Sequence, residues 1–85
     1  MYAYPNPWDV RKYSKHQITF ANLADGVTVK IFTISGFLVK SVSSASGNAV
    51  WDLTNDSGKM VASGLYLYVA SNDKNSVAGK IAIIK

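Results

Sequence analysis

The sequence predicts an all-β protein whose strands pack as two face-to-face sheets, and three observations support this prediction. Short apolar or alternating segments recur at intervals of roughly 8–12 residues, the spacing typical of immunoglobulin-like sandwiches. Clusters of Gly, Asn, Asp and Ser separate these segments and favour turns. No stretch shows the apolar stripe of an amphipathic helix. We therefore expect an immunoglobulin/fibronectin-III-like β-sandwich of about seven antiparallel strands.

Seven segments carry the pattern of a strand, either apolar alternation or a short apolar run. Residues 8–16 lack such a pattern and are predicted to be a polar connection. Two turns place glycine where a positive φ angle is expected, a two-residue hairpin at Ser35-Gly36 and a longer turn at Asn55-Asp56-Ser57-Gly58. The predicted strands are 2–4, 17–21, 27–34, 37–42, 49–53, 65–71 and 77–84. The predicted core residues are Ile18, Phe20, Val29, Ile31, Trp51, Leu65, Leu67, Ile81 and Ile83.

Length and composition indicate one small domain with a packed core. The chain has 85 residues, of which 48% are hydrophobic, and no apolar run approaches the ~20 residues of a membrane span. The absence of cysteine excludes disulfide bonds, thiolate catalysis and cysteine-ligated zinc. We therefore expect residues 1–85 to form a single β-sandwich domain without a membrane span.

The ionisable residues do not form a catalytic or nucleic-acid-binding cluster. Nine Lys and Arg residues against five Asp residues give a net charge of +4, and the cations are scattered. We expect them to provide solubility and edge-strand protection, so no nucleic-acid partner is predicted. His16, the single histidine, lies in the polar connection without a nearby carboxylate in sequence. No enzyme activity, cofactor or metal site is predicted, because neither a catalytic base with a nucleophile nor a phosphate-binding glycine loop is present.

Two other groups of residues have a structural interpretation beside a functional one. The oxygen-bearing side chains of residues 52–57 could bind calcium, but their spacing differs from an EF-hand loop, and a turn stabilised by Asx hydrogen bonds explains them. Trp8, Trp51, Tyr66 and Tyr68 could form a sugar-binding platform. That interpretation predicts that the two tyrosines of the 65–71 strand are exposed and coplanar.

The C-terminal region, residues 60–85, contains two apolar strand-like runs that face each other across residues 72–76. A strand with this much apolar surface is expected inside a sheet and not as a loose tail. Lys80 and Lys85 flank the apolar residues of the second run. These lysines either protect an exposed edge strand from aggregation or belong to a recognition strand that a partner reads through backbone pairing.

The order of these motifs along the chain is typical of a known family. Tyr4-Pro5-Asn6-Pro7 is followed by residues 18–23, residues 29–39, the segment from Trp51 to Tyr66, and residues 79–85. This order resembles the C-terminal sorting domain of the type IX secretion system, type A, and is similar to the immunoglobulin-like domain of flagellar hook-capping proteins. The motif positions of the family fall on Pro5, Asn6, Pro7, Gly36, Val39, Asn55, Gly58, Val61, Ser63, Gly64 and Tyr66, and the sorting strand falls on Gly79, Lys80, Ile81, Ile83, Ile84 and Lys85.

The resemblance implies a non-catalytic domain at the C-terminus of a larger secreted protein. In the sorting family this domain directs an upstream cargo across the outer membrane and is often then cleaved off. The implied partners are the secretion machinery in the outer membrane and the upstream cargo domain of the same precursor. The implied route passes through the periplasm to the cell surface or the extracellular medium. Residues 1–8 lack the basic and apolar regions of a signal peptide, so we expect the chain to be a fragment of such a precursor.

Two alternative functions compete with sorting. Similarity to the hook-capping domain implies a structural spacer or assembly module of a surface protein. The aromatic side chains alternatively suggest a carbohydrate-binding module. Sorting predicts a large secreted domain upstream, whereas a spacer predicts sequence on both sides or tandem copies of the domain.

Overall fold

The structure, a computed structural model, describes all 85 residues and consists of eight strands in two sheets. One sheet has three strands in the order β1-β3-β6, and the other has five strands in the order β2-β8-β7-β4-β5. No helix of a length and hydropathy suited to crossing a membrane occurs in the structure. The strands are β1 (Tyr2–Tyr4), β2 (Trp8–Asp9), β3 (Ile18–Ala21), β4 (Thr28–Thr33), β5 (Leu38–Ser43), β6 (Ala49–Trp51), β7 (Gly64–Ser71) and β8 (Ser76–Ile84).

The predicted fold class is confirmed, with two differences in the strands. An additional strand, β2, lies in the segment that was expected to be a polar connection. It pairs in parallel with the end of β8, whereas all other strand pairs are antiparallel. The C-terminal end of β8, which is its most apolar part, therefore lies between β2 and β7, inside the sheet, as its sequence predicts.

The core lies between the inner faces of the two sheets. Successive side chains of a strand point to opposite faces, so alternate residues of β4 and of the C-terminal half of β8 reach the core. Trp51 of β6 pairs with Ile18 of β3, and its ring meets that of Tyr66 edge-on with 5.9 Å between centroids, which joins the two sheets. The predicted core residues that are buried are Ile18, Phe20, Val29, Ile31, Trp51, Ile81 and Ile83.

The predicted orientation of β7 is wrong. Leu65 is 54% exposed and Leu67 is half-buried, whereas Tyr66 is buried in the core. Because β7 alternates Leu and Tyr, its sequence offers a large side chain to either face of the sheet. The pairing with β8 decides the orientation, since Tyr66 lies opposite Ile81 and both belong to the core face.

A fully buried tryptophan, Trp8, anchors the segment that was predicted to be a polar connection. Its Nε1 donates a hydrogen bond to the Lys15 carbonyl oxygen over 2.9 Å, and its ring lies 5.3 Å from the ring of the exposed His16. The neighbouring Asp9 carboxylate accepts hydrogen bonds from the backbone N–H and the guanidinium of Arg11. These contacts fix the loop that follows β2 against the end of the sandwich.

The Asp9–Arg11 pair makes stability depend on pH in acid. The side-chain hydrogen bond from Arg11 lowers the pKa of Asp9 from 3.8 to about 2. A carboxylate whose pKa is lower in the folded state stabilises the fold above about pH 4 and loses that contribution as the pH falls towards about 2. We expect the free energy of unfolding, measured by urea denaturation, to decrease across this window.

Asp9→Asn should remove part of this decrease, while Asp73→Asn, a change in an exposed turn, should leave it in place. Only part is removed because the pKa of Asp52 is also lowered, chiefly by the hydrogen bond from the Thr54 hydroxyl. An unchanged pH profile for Asp9→Asn would contradict the assigned role of the pair.

The two predicted glycine turns are present, one with a different length. In the β4–β5 hairpin the N–H of Thr33 donates to the carbonyl oxygen of Phe37, which leaves a three-residue loop in place of the predicted two-residue turn. Its third residue, Gly36, has a φ of 98°, as such loops require. Gly58 has a φ of 81°, in agreement with the predicted left-handed position.

Candidate recognition site at the final strand

The Pro5-Asn6-Pro7 segment holds part of the outer edge of β8. Asn6 Nδ2 donates to the Lys80 carbonyl oxygen over 3.0 Å, and Asn6 Oδ1 accepts from the Ala82 N–H over 3.1 Å. The side-chain amide takes the place of a neighbouring strand, because it offers one donor and one acceptor as a peptide group does. The flanking prolines have no N–H and cannot extend the pairing. This motif therefore closes one part of the edge of β8.

The end of the predicted sorting strand is tied to the segment that precedes β7. The Lys85 backbone N–H donates to Ser63 Oγ over 3.1 Å, and Lys85 Nζ donates to the Val61 carbonyl oxygen. Val61 is itself buried, and its N–H donates to the Leu53 carbonyl oxygen over 2.9 Å, which holds this segment in place. Val61, Ser63 and Lys85, all motif positions of the family, are thus joined by hydrogen bonds.

Gly64 and Tyr66 lie directly opposite β8, where they pair with Ile83 and Ile81. Gly64 has a φ of 149°, a conformation that residues with a side chain rarely adopt. The Tyr66 hydroxyl donates to the Ala62 carbonyl oxygen over 2.6 Å, which satisfies the one polar group of a buried ring. Burial raises the pKa of this phenol, which therefore remains a neutral donor at physiological pH.

The ring of Tyr68 explains why β8 contains a glycine. Tyr68 pairs with Gly79 across the β7–β8 ladder, and its ring lies 5.1 Å from that of Phe20. A Cβ atom at position 79 would lie 2.4 Å from Tyr68 Oη and 2.6 Å from its Cζ. The aromatic ring therefore covers the glycine, and no side chain fits beneath it.

Gly79→Ala should destabilise the domain by about 1–3 kcal/mol, because the methyl group forces Tyr68 away from Phe20. Urea denaturation measures this loss. In a Tyr68→Ala background the same change should be neutral or stabilising by about 0.5–1 kcal/mol, since alanine restricts the unfolded chain. Equal destabilisation in both backgrounds would show that the ring is not the cause.

The remaining motif positions lie away from the sorting strand. Val39, Asn55 and Gly58 group around the turn that follows β6, while Gly36 lies in the β4–β5 hairpin loop. The Val39 carbonyl oxygen accepts from the Asp56 N–H over 3.1 Å. Asn55 Oδ1 accepts from the backbone N–H groups two and four residues further on, over 2.9 and 3.0 Å. This is the Asx-stabilised turn that the sequence predicts for these polar residues.

Part of the outer edge of β8 has no neighbouring strand. β2 pairs only with its last two residues, and the Pro-Asn-Pro segment covers the part just before them. The hydrogen bonds to Asn6 show that the backbone groups of Lys80 and Ala82 point away from β7. Every second residue of a strand directs its N–H and C=O to the same side, so those of Ser76 and Ala78 also point outward. Both are exposed. We call the segment Ser76–Lys80 the open edge; it ends at the N–H of Lys80, because Asn6 already binds the Lys80 carbonyl oxygen. An extended segment of another protein can pair with such an edge.

The sugar-binding platform expected of Tyr66 and Tyr68 is not formed. Tyr66 is buried in the core, and Tyr68 is half-buried against Phe20 and over the sorting strand. The carbohydrate interpretation of these residues is therefore wrong, because the register of β7 turns both rings inward.

A separate open groove of about 560 Å³ lies between Tyr4 and the loop after β2, and its lining includes no carboxylate, imidazole or thiol.

Comparison with known proteins places these features in a family. The family model of the secretion-system C-terminal sorting domain matches residues 2–85. No curated protein matches the chain.

Two solved structures share its fold. PorZ of Porphyromonas gingivalis, an essential bacterial surface component of the type IX secretion system of that organism, has a TM-score of 0.84 and 30% identity over 99% of this chain and 11% of its own. Latent dimeric PorU from Porphyromonas gingivalis has a TM-score of 0.64 and 24% identity over 98% of this chain and 9% of its own, a likeness of fold alone. The chain thus spans about a tenth of the length of these two proteins. The match to the family model covers all but the first residue, and the chain belongs to the secretion-system C-terminal sorting domain family.

Proposed function

We propose that this domain directs an upstream cargo of the same precursor through the type IX secretion system to the cell surface or the medium. The observation that carries the proposal is the match of residues 2–85 to the sorting-domain family. The likeness to PorZ, at 30% identity and a TM-score of 0.84, supports the assignment to the type IX system. The cargo would pass through the periplasm before it crosses the outer membrane, and the domain itself would be non-catalytic.

The final strand is the part of the domain that we propose the machinery recognises. Asn6 bonds to β8, and Gly64 and Tyr66 pair with it. Val61 and Ser63 accept hydrogen bonds from Lys85, the residue directly after β8. They hold the strand in one register and leave the open edge Ser76–Lys80 free for a further strand. Backbone pairing at such an edge provides affinity, and the Lys80 side chain beside it provides a charge that the partner can read.

A reporter fusion tests the sorting function. A periplasmic reporter followed by residues 1–85 is produced in a bacterium with an active type IX system and in the same strain with that system inactivated. We expect the reporter at the surface or in the medium of the active strain only. Retention of the folded fusion in the periplasm of the active strain would contradict sorting and favour the spacer function.

A matched pair of variants at Ala78 tests the role of the open edge. Ala78→Pro removes an outward-facing N–H that a partner strand would use, whereas Ala78→Ser keeps it at the same exposed position. We expect secretion of the Ser variant at the wild-type level and loss of secretion of the Pro variant. The melting temperature of each purified domain shows whether the proline has changed folding or only the edge. Normal secretion of a folded Ala78→Pro fusion would exclude backbone pairing there.

A further inference from the structure

The outer face of the five-stranded sheet carries apolar side chains that no other element covers. Leu67 of β7 lies between Lys80 of β8 and Phe32 of β4, and Leu38 of β5 follows Phe32 in the same row. Leu65 lies two residues from Leu67 on the same face and is 54% exposed, while Leu38 is 49% exposed. We call Phe32, Leu38, Leu65 and Leu67 the outer patch.

The outer patch occupies one end of the sheet and continues into the adjoining loop. Ile34 and Phe37 of the β4–β5 hairpin are 57% and 73% exposed. The other end of the same face carries only small polar side chains, in a row formed by Ser76, Ser71, Thr28 and Ser43. Apolar side chains concentrated in this way on an exposed surface mark an interaction site.

Two lysines lie beside the outer patch, and no unpaired carboxylate lies on the same face of the sheet. Lys80 lies opposite Leu67 and Lys30 lies opposite Val69, so the two flank β7 on the outer face. Lys80 and Lys30 lie on either side of β7, two strand spacings apart, and are offset by two residues along the strands. Their Cα atoms are therefore about 12 Å apart. The five strands of this sheet contain one acidic residue, Asp9, which pairs with Ile84 at a corner of the sheet and is bound by Arg11 over 2.9 Å.

We propose that the outer patch docks a protein of the secretion machinery whose contact surface is apolar and carries carboxylates opposite Lys30 and Lys80. This inference rests on the proposed sorting function and names a second surface for it. The charges argue against a second copy of this chain as the occupant. Two such faces would bring four ammonium groups together with no carboxylate, and unpaired charges are costly to desolvate. A complementary acidic partner removes that cost.

The reporter fusion distinguishes this surface from the sorting function itself. One variant carries Lys30→Glu with Lys80→Glu, and a second carries Leu38→Ser with Leu65→Ser. Matched controls are Lys59→Glu with Lys74→Glu, two exposed lysines outside the sheets, and Val50→Ser, an apolar residue of the other sheet that is 49% exposed. Lys30→Arg alone retains the charge at a position outside the open edge. Exposed substitutions of this kind change stability by about 0.5 kcal/mol or less, so folded fusions are expected.

Both outer-patch variants should lose about tenfold or more in secreted reporter, while the controls and the arginine variant keep the wild-type level. Wild-type secretion by both outer-patch variants would overturn the inference and leave the sorting function intact. A wild-type fusion that stays in the periplasm would overturn both.

Two further measurements test the identity of the occupant with the purified domain. Sedimentation should give a monomer, and a dimer that the two serine substitutions dissociate would assign the patch to self-association and overturn the inference. The domain should not sediment with phosphatidylglycerol vesicles. Vesicle binding that the glutamate substitutions abolish would assign the patch to a lipid surface and likewise overturn the inference.

Discussion

Trp51→Ala should destabilise the domain by about 3–5 kcal/mol, a large part of the roughly 5–15 kcal/mol by which folded domains are stable. The ring is fully buried, pairs across the three-stranded sheet with Ile18, and meets Tyr66 of the opposite sheet. Its removal leaves a cavity at the point where the two sheets touch. It also leaves the Thr54 carbonyl oxygen without the indole N–H that donates to it over 2.9 Å. Urea denaturation monitored by far-UV circular dichroism measures the loss.

Trp51→Phe separates the packing contribution from the hydrogen bond. Phenylalanine keeps most of the apolar volume but has no N–H, so the expected loss is smaller, about 1–3 kcal/mol. If Trp51→Ala cost less than this control, the assignment of Trp51 to the centre of the core would be wrong.

Trp8→Ala should also cost about 3–5 kcal/mol, although the residue lies in a segment whose sequence looks like a polar connection. Trp8 is fully buried, pairs with Ile83 of the final strand, and holds the Lys15 carbonyl oxygen. Its loss should therefore weaken both the loop after β2 and the attachment of the final strand. Hydrogen exchange should show faster exchange of the Val10 amide, which donates to the Ile84 carbonyl oxygen.

Tyr13→Ala is the control for Trp8→Ala, because Tyr13 lies in the same loop and is 40% exposed. An exposed substitution of this kind should change stability by about 0.5 kcal/mol or less. Similar small effects of the two substitutions would support the polar connection and contradict the structure at β2.

The strands of this domain are predictable because their signals are local. Alternation of apolar and polar residues and the glycines at 36 and 58 depend on neighbours in sequence, and the segments they delimit agree with the structure to within a few residues. The apolar residues of β8 likewise indicate a strand inside a sheet, and β8 lies between β2 and β7.

The inner face of β7 is not predictable from its own sequence. Leucines and tyrosines alternate along it, and either set could fill a core. The choice depends on pairing with β8, where a ring over Gly79 fits and a larger side chain at position 79 would clash. The glycine that lies opposite Tyr68 indicates which face of β7 is the inner one, but it can be used only once the register of the two strands is known.

The contacts that define the candidate site join residues far apart in the chain. Asn6 bonds to Lys80 and Ala82, which are 74 and 76 residues away. Both segments carry motif positions of the family, yet sequence spacing alone gives no reason for them to meet. The burial of Trp8 is not predictable for the same reason, since its partner Ile83 lies at the opposite end of the sequence.

Photocrosslinking at the open edge tests most directly whether the secretion machinery recognises the final strand. A photoreactive phenylalanine analogue replaces Ala78 in the reporter fusion, and the same analogue replaces Val50, an exposed residue of the other sheet, in a control fusion. We predict that irradiation of secreting cells links position 78, but not position 50, to a protein of the type IX machinery. A crosslink from position 50 alone, in cells that secrete both fusions, would contradict recognition through the final strand.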